Sequence, residues 1–239
     1  MKKIGSLVLS CMICMFFGQT TTVEYDFKVN IYQPYVFPAK LSLGTNGNVK
    51  YTVLYGIAGQ VKNSGAYGNS LVDRSYYEYI LFTNKQNPYY IIKDKISRKE
   101  YVFKDTKHKI QYVHKNDKKE VDGKLLSSVT IEFRGRKYTI WYDAQSKIKT
   151  GPWKFSSPPG LVYEAYDDTG TYRWELKSVN KSKEIVKNTI DSHDFLAYTE
   201  YPILKYGLSS QFKKDGSTDH NTRIEQDRTS LETKFEWEN

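Results

Sequence analysis

Residues 134–176, RGRKYTIWYDAQSKIKTGPWKFSSPPGLVYEAYDDTGTYRWEL, decide the fold. Within them, residues 137–142 and 161–176 alternate large apolar side chains with polar ones, and an Asp-Asp-Thr-Gly turn divides the second run. A period of two sends successive side chains to opposite faces of a strand. The stretch therefore predicts antiparallel strands that form a sheet with one buried face.

The same pattern extends through the rest of the chain, in which 15% of the residues are aromatic, 21 of them tyrosines. Asn46-Gly47 separates two alternating runs, and an Asn-Gly pair suits the positive φ of a tight hairpin turn. Further strands are predicted at 76–83, 89–92, 99–104, 110–115 and 129–134. The predicted class is mainly β: a large curved antiparallel sheet, either an open half-barrel or a sandwich.

One short helix is predicted near residues 191–201. Asp191 or Ser192 would cap its N-terminus, Phe195 and Leu196 would pack, and the helix would end before Pro202. Residues 56–70 are rich in Gly, Asn and Ser and read as a mobile loop. Residues 209–239 form a polar C-terminal tail, in which 233–237 could add a terminal strand.

The N-terminus has the pattern of a secretory signal peptide over residues 1–20: two lysines, an apolar run at 4–17, then polar residues. We place its cleavage between Gly18 and Thr22. The apolar run is shorter than a membrane-spanning helix needs, so no transmembrane segment is expected after cleavage. The remainder would be a single antiparallel β domain over 21–208, exported to the periplasm, the outer envelope or the medium.

Both cysteines, Cys11 and Cys14, lie inside this leader. Either the leader is removed with them, or one of them carries a lipid. A mature domain without thiols excludes cysteine nucleophiles, thiolate metal sites and structural disulfides.

The chain is basic, with 36 Lys and Arg against 27 Asp and Glu. The excess lies at 93–124, where eleven basic and six acidic residues are interleaved and alternate with apolar ones. This pattern favours solvated strand faces over a polyanion site. We therefore expect no nucleic-acid partner.

No residue pattern selects a catalytic site, and none predicts a cofactor or a metal. The four histidines accompany no Gly-x-Ser-x-Gly elbow. Asp191, His193 and Asp194 could ligate a divalent cation, but a helix cap explains them more simply. Asp167 and Asp168 fit ordinary hairpin chemistry better than a carboxylate pair for glycoside cleavage.

The central third resembles the GLPGLI family of exported Bacteroidota proteins. The resemblance is carried by the Arg-Gly-Arg turn, by Gly-Pro-Trp-Lys-Phe at 151–155, and by the family's hexapeptide, which here reads Ser-Pro-Pro-Gly-Leu-Val at 157–162. It implies an envelope protein and supplies no mechanism. The motif residues are Arg134, Gly135, Arg136, Gly151, Pro152, Pro159, Gly160 and Leu161. The prolines cannot donate to a ladder and Gly160 permits close backbone approach, so we expect a rigid corner before the next strand.

The surplus of aromatic residues suggests binding. A one-sided curved sheet is similar in architecture to the LolA-type lipoprotein carriers, which implies an apolar ligand on the concave face. Candidate ligand contacts are Trp141, Trp153, Phe155, Tyr163 and Trp174. The leading hypothesis is a non-enzymatic envelope protein that binds an apolar ligand or an envelope protein. The alternatives are an exported hydrolase with a dispersed acid/base pair and a structural component of a surface complex.

Overall fold

The computed structural model describes residues 20–56, 76–192, 194–207 and 228–238. The predicted leader up to residue 19 lies outside these ranges, with both cysteines. So do most of the predicted loop at 56–70 and the greater part of the polar tail. In the described ranges, no helix is long and apolar enough to cross a membrane.

Twelve strands and one short helix form the described part of the chain. The strands are β1 (Thr20–Asn30), β2 (Pro34–Leu43), β3 (Asn48–Tyr55), β4 (Tyr77–Asn84), β5 (Tyr89–Ile96), β6 (Lys99–Thr106), β7 (Val113–Val121), β8 (Lys124–Phe133), β9 (Arg136–Asp143), β10 (Leu161–Asp167), β11 (Tyr172–Ser182) and β12 (Leu196–Ala197). The helix is α1 (Glu200–Tyr206).

All the strands join one open sheet in the order β12-β6-β5-β4-β3-β2-β1-β11-β10-β9-β8-β7. Every neighbouring pair is antiparallel except the two-residue pairing of β12 with β6. The mainly-β class and the large antiparallel sheet predicted from the sequence are confirmed. The Asn46-Gly47 hairpin is confirmed too: Gly47 has φ +80° between β2 and β3.

The sheet is strongly curved, as one contact between distant strands demonstrates. Eight strands separate β6 from β8 in the sheet order, which would place them about 40 Å apart in a flat sheet. Yet Asp105 in β6 contacts Arg134, the residue after β8, at 2.7 Å. The sheet therefore curls until its two flanks approach each other.

The concave face of the sheet carries the main core. Its fully buried aromatic side chains come from strands across the sheet: Tyr25, Phe27, Tyr51, Phe103, Tyr138 and Trp174. Residues 151–155, α1 and the C-terminal segment 228–238 pack into this concavity through Trp153, Phe155, Tyr201 and Phe235. The opposite, convex face is not wholly exposed, because Ile190 covers Ile80, Phe82 and Ile91 there.

The helix lies later in the chain than predicted. It begins at Glu200 rather than Asp191, and Leu196 and Ala197 instead form β12. Ser192 accepts a hydrogen bond from the Asp194 amide in a local turn and does not cap a helix. Pro202, which we expected to end the helix, lies in its first turn, where backbone amides have no intrahelical partner and proline is tolerated.

The C-terminal segment 228–238 differs from the predicted tail. It forms turns rather than a terminal strand, and it packs into the core with Glu232 and Phe235 buried. The amides of Thr233 and Lys234 both donate to the Arg134 carbonyl, at 2.8 and 3.1 Å. The local sequence is too polar to show this burial, because its charges are neutralised by residues far away in the chain.

Candidate ligand-binding site

Residues 151–155 form a tight turn that carries two aromatic side chains into the concavity. The Phe155 amide donates to the Pro152 carbonyl at 3.2 Å, and Trp153 adopts φ +54°. Gly151 lies against Val162, where a Cβ atom would approach the valine side chain to 2.8 Å. The Gly-Pro-Trp-Lys-Phe sequence thus builds a compact insertion beneath the sheet.

Three of the five predicted ligand contacts meet there. Trp153 stacks on Trp174 at 6.0 Å between ring centroids, and Phe155 meets Trp174 edge-on at 5.3 Å. The Trp174 indole donates to the Tyr51 hydroxyl at 2.8 Å, so its polar group is satisfied in the core. Trp174 is fully buried within this packing.

Trp141 and Tyr163 do not join this group. Trp141 follows Ile140, which faces the core, so the alternation of β9 sends the indole to the convex face, where the Lys119 ammonium lies 4.6 Å from its ring. Tyr163 lies at a β-bulge between Val162 and Glu164, where it is half-buried and packs against the main core. Neither Trp141 nor Tyr163 lines a cavity with Trp153 or Phe155.

The first cavity, here called the aliphatic cavity, has a volume of about 510 Å³. It lies between β2 to β5 and residues 148–157, and two lysines, Lys85 and Lys149, stand among its lining residues. Its apolar walls are Leu41, Leu43, Val49, Leu81, Tyr90, Ile148, Trp153 and Phe155. This size and lining are those of a small-molecule site.

The second cavity, here called the tyrosine cavity, has a volume of about 280 Å³. Trp153 lines it as well, so this one indole stands between the two cavities. Asp94, Lys205 and Glu232 are its charged lining residues. Its aromatic walls are Tyr35, Phe37, Tyr55, Tyr77, Tyr79, Trp153, Tyr172, Tyr198 and Tyr201.

A buried cluster of four charges holds these cavities in shape. Arg134 pairs with Asp105 and with Glu232, each at 2.7 Å, and Lys154 pairs with the same two carboxylates at 2.7 and 2.6 Å. All four side chains are at most 4% exposed. The cluster thereby ties β6, the β8–β9 turn, the Trp153 turn and the C-terminal segment together.

The charged groups in this cluster shift each other's pKa values. Burial raises the pKa of Asp105, but the Lys154 ammonium and the Arg134 guanidinium outweigh it, and the pKa is lowered overall. For Arg134, burial opposes the charge, yet Glu232 and Asp105 raise the pKa above its usual value. Both residues therefore stay ionised at neutral pH.

The other motif residues also have structural contacts. Arg136 pairs with Asp167 at 2.6 Å and donates to the Ser230 carbonyl at 2.7 Å. Gly135 has φ +81° and lies against Thr233 and Lys234, where a side chain would collide. Motif residues thus anchor the C-terminal segment on the curved sheet.

The proline corner behaves as predicted. Pro152 and Leu161 are buried, Pro159 is half-buried, and Gly160 lies so close to the Asp143 carbonyl that a Cβ atom would collide with it. The corner fixes the return of the chain into β10.

The residues considered for catalysis or metal binding are dispersed. His108 lies 3.7 Å from Glu236, and His114 lies 3.3 Å from the Tyr142 hydroxyl. His193 and His220 lie outside the described residues. Among the residues described, no three His, Cys, Asp or Glu side chains form a metal-binding group.

Asp167 confirms the hairpin interpretation of the Asp-Asp-Thr-Gly turn. Its carboxylate is buried, accepts the Tyr172 amide at 2.7 Å and pairs with Arg136, whereas Asp168 is exposed.

Sequence reasoning missed the buried acids Asp94, Asp105 and Glu232. The alternation of β5 and β6 could have located the first two, because each occupies a core-facing position in its strand. None of the eleven basic residues at 93–124 is buried, which agrees with solvated strand faces.

By its fold, this protein belongs to the mainly-β class, with one open antiparallel sheet and two cavities on the concave face. No protein-family model and no curated protein matches the sequence. Among solved structures, PNGF-II in a P21 crystal form is similar with a TM-score of 0.50 and 14% identity, covering 79% of this chain and 33% of that one. The chain thus spans about a third of PNGF-II, and the likeness concerns the fold alone.

Two further structures score lower. The C2 crystal form of PNGF-II gives a TM-score of 0.46 at 14% identity, covering 75% of this chain and 31% of that one. A domain assigned to outer membrane lipoprotein sorting in Vibrio parahaemolyticus gives 0.35 at 7% identity, covering 72% of this chain and 88% of that one. These two scores are too low to support an inference about this chain.

Proposed function

We propose that this chain is an exported, non-enzymatic envelope protein that binds an apolar ligand in the aliphatic cavity. The observation that carries the proposal is a cavity of about 510 Å³ with mostly apolar walls on the concave side of the sheet. The leader-like N-terminus and the GLPGLI resemblance support the envelope location in this proposal.

The lining of the aliphatic cavity favours an amphiphile with an acidic end. The half-buried Leu43, Val49 and Ile148 would contact a hydrocarbon chain, while Lys85 and Lys149 offer ammonium groups to a carboxylate or phosphate. Burial of each methylene group of the chain contributes about 0.8 kcal/mol, and the lysines would orient the ligand.

A role in a surface complex through an exposed strand edge receives less support. β7 is one edge of the sheet, and six of its nine residues, 114, 115 and 117–120, are charged or histidine. Charged side chains on an edge strand oppose pairing with another chain. The charged side chains of β7 therefore oppose self-association through this edge.

Titration with cis-parinaric acid, whose fluorescence rises in an apolar site, tests the proposal. Val49 lines the cavity and Leu54 is 45% exposed on the convex face of the same strand. Wild type and Leu54→Trp should bind saturably, and Val49→Trp should bind at least about tenfold more weakly, because the indole fills the cavity. Absence of saturable binding to folded wild type, or equal binding by Val49→Trp, would overturn the proposal.

A further inference from the structure

The tyrosine cavity is separate from the aliphatic cavity and has a different chemistry. Its wall presents stacked and edge-on rings: Tyr55 stacks on Tyr77 at 4.9 Å, and Phe37 meets Tyr55 edge-on at 4.9 Å. Tyr79 continues the same wall. Ring faces carry negative electrostatic potential, so a wall of this kind attracts cations.

Asp94 supplies a buried carboxylate to the same cavity. It is 8% exposed, and its Oδ1 accepts the Lys95 backbone amide at 2.8 Å. In the described part of the chain, no Lys, Arg or His nitrogen lies within 4.0 Å of this carboxylate, whereas Asp105 in the neighbouring strand has two such partners. Burying a carboxylate without an ion-pair partner costs free energy, so buried carboxylates in proteins usually have such a partner.

We propose that the tyrosine cavity binds a small organic cation, with Asp94 as its counter-ion and the tyrosine faces around its alkyl groups. A volume of about 280 Å³ suits a substituted ammonium group rather than a long chain. Asp94 and Glu232 both disfavour an anion there. The exposed Lys205 stands at the border, where its ammonium group stays hydrated.

A metal ion fits this cavity less well. A hard cation needs several oxygen ligands, and Glu232, the second carboxylate in the lining, is already engaged by Arg134 and Lys154. Among the described residues that line the cavity, no other is acidic. An organic ammonium ion requires one carboxylate and aromatic faces, which are the groups present.

Isothermal titration calorimetry can test this with choline and with its neutral isostere, 3,3-dimethylbutan-1-ol. The comparison separates binding that depends on the positive charge from binding that depends only on apolar contact. We expect choline to bind wild type at least about tenfold more tightly than the alcohol, because only the cation gains from Asp94 and the ring faces. Asp94→Asn should lose at least about tenfold in choline affinity and none in alcohol affinity. Asp26→Asn, a matched change on β1 at a pair with Lys177, should bind as wild type does.

Tyr77→Leu provides a second test that leaves the buried carboxylate in place, and it should weaken choline binding several-fold. Equal affinity for choline and the alcohol, undiminished choline binding by folded Asp94→Asn, or no choline binding by folded wild type would each overturn the inference. Parinaric acid binding, measured on the same samples, reports separately on the aliphatic cavity. If parinaric acid still binds while choline does not bind as expected, the cation site is refuted and the proposed function stands.

Discussion

Arg134 and Asp105 form a two-pronged ion pair, with Nη2–Oδ1 at 2.7 Å and Nη1–Oδ2 at 2.9 Å, between strands that stand nine places apart in the sheet order. The planar guanidinium matches the carboxylate geometry, and four rings, of Phe133, Tyr198, Phe235 and Trp237, lie within 5.4 Å of it. This pair closes the concavity in which both cavities lie.

Removing the Arg134 charge should weaken the contact that holds the two flanks of the sheet together. We expect Arg134→Met to lower the free energy of unfolding by about 3–5 kcal/mol, because it leaves two buried carboxylates with Lys154 as their only paired cation among the described residues. Urea unfolding monitored by circular dichroism measures this. Lys28→Met, at an exposed pair with Glu175, is the control and should lose no more than about 1 kcal/mol. A loss below about 1 kcal/mol for Arg134→Met would contradict the closing role.

The lowered pKa of Asp105 predicts an acid-sensitive contribution to stability. A carboxyl group whose pKa is lower in the folded state stabilises the fold above its unfolded pKa of about 3.9 and loses that contribution as the pH falls through its folded pKa. Unfolding free energies at a series of pH values below about 5 should fall steeply for wild type and less steeply for Asp105→Asn. Parallel curves for the two proteins would be evidence against this ionic link.

Asp94 should behave in the opposite way. Burial raises its pKa, so its contribution is present below the unfolded pKa and is lost as the pH rises through the folded pKa. The charges of Lys205 and Lys154, the Lys95 backbone amide and the Tyr201 hydroxyl act in the opposite direction and lower this pKa, but less than burial raises it. Tyr55, Tyr77 and Tyr79 also lie near the carboxylate.

Without ligand, Asp94→Asn should therefore raise the free energy of unfolding at neutral pH by about 1 kcal/mol, and the gain should shrink as the pH falls toward about 4. Urea unfolding at the two pH values measures it. A variant that is less stable than wild type at neutral pH would assign Asp94 a structural role instead.

The rigid corner at Gly160 yields a backbone test. Gly160→Ala should lose at least about 2 kcal/mol, because the new Cβ atom would collide with the Asp143 carbonyl. Gly123→Ala is the control: Gly123 has φ +72° but open space around it, so the loss should be about 1 kcal/mol. Equal losses would show that the corner tolerates a side chain.

The strands of the sheet could be predicted from the sequence, but the residues that fill its concave side could not. Alternation around Tyr138 and Trp174 is a local property, so it predicted strands and their buried faces correctly. The predicted helix position is wrong because a proline such as Pro202 can end a helix or lie in its first turn, and the local sequence does not distinguish the two. Which residues fill the concavity depends on contacts across long chain separations.

The same limit applies to the candidate site. Trp153, Phe155 and Trp174 were named together, and the structure joins them. Aromatic character alone favours Trp141 and Tyr163, but Trp141 lies on the convex face and neither residue lines a cavity with Trp153. The alternation of β5 places Asp94 on the core-facing side, but its lack of an ion-pair partner among the described residues depends on the distant residues that pack against that strand.

Native mass spectrometry of the protein purified from the cells that produce it naturally tests the central claim most directly. A ligand bound in the aliphatic cavity predicts an added mass on wild type and on Leu54→Trp, removable by organic solvent and absent from Val49→Trp. Wild type that carries no added mass, or the same added mass on Val49→Trp, would contradict binding in this cavity.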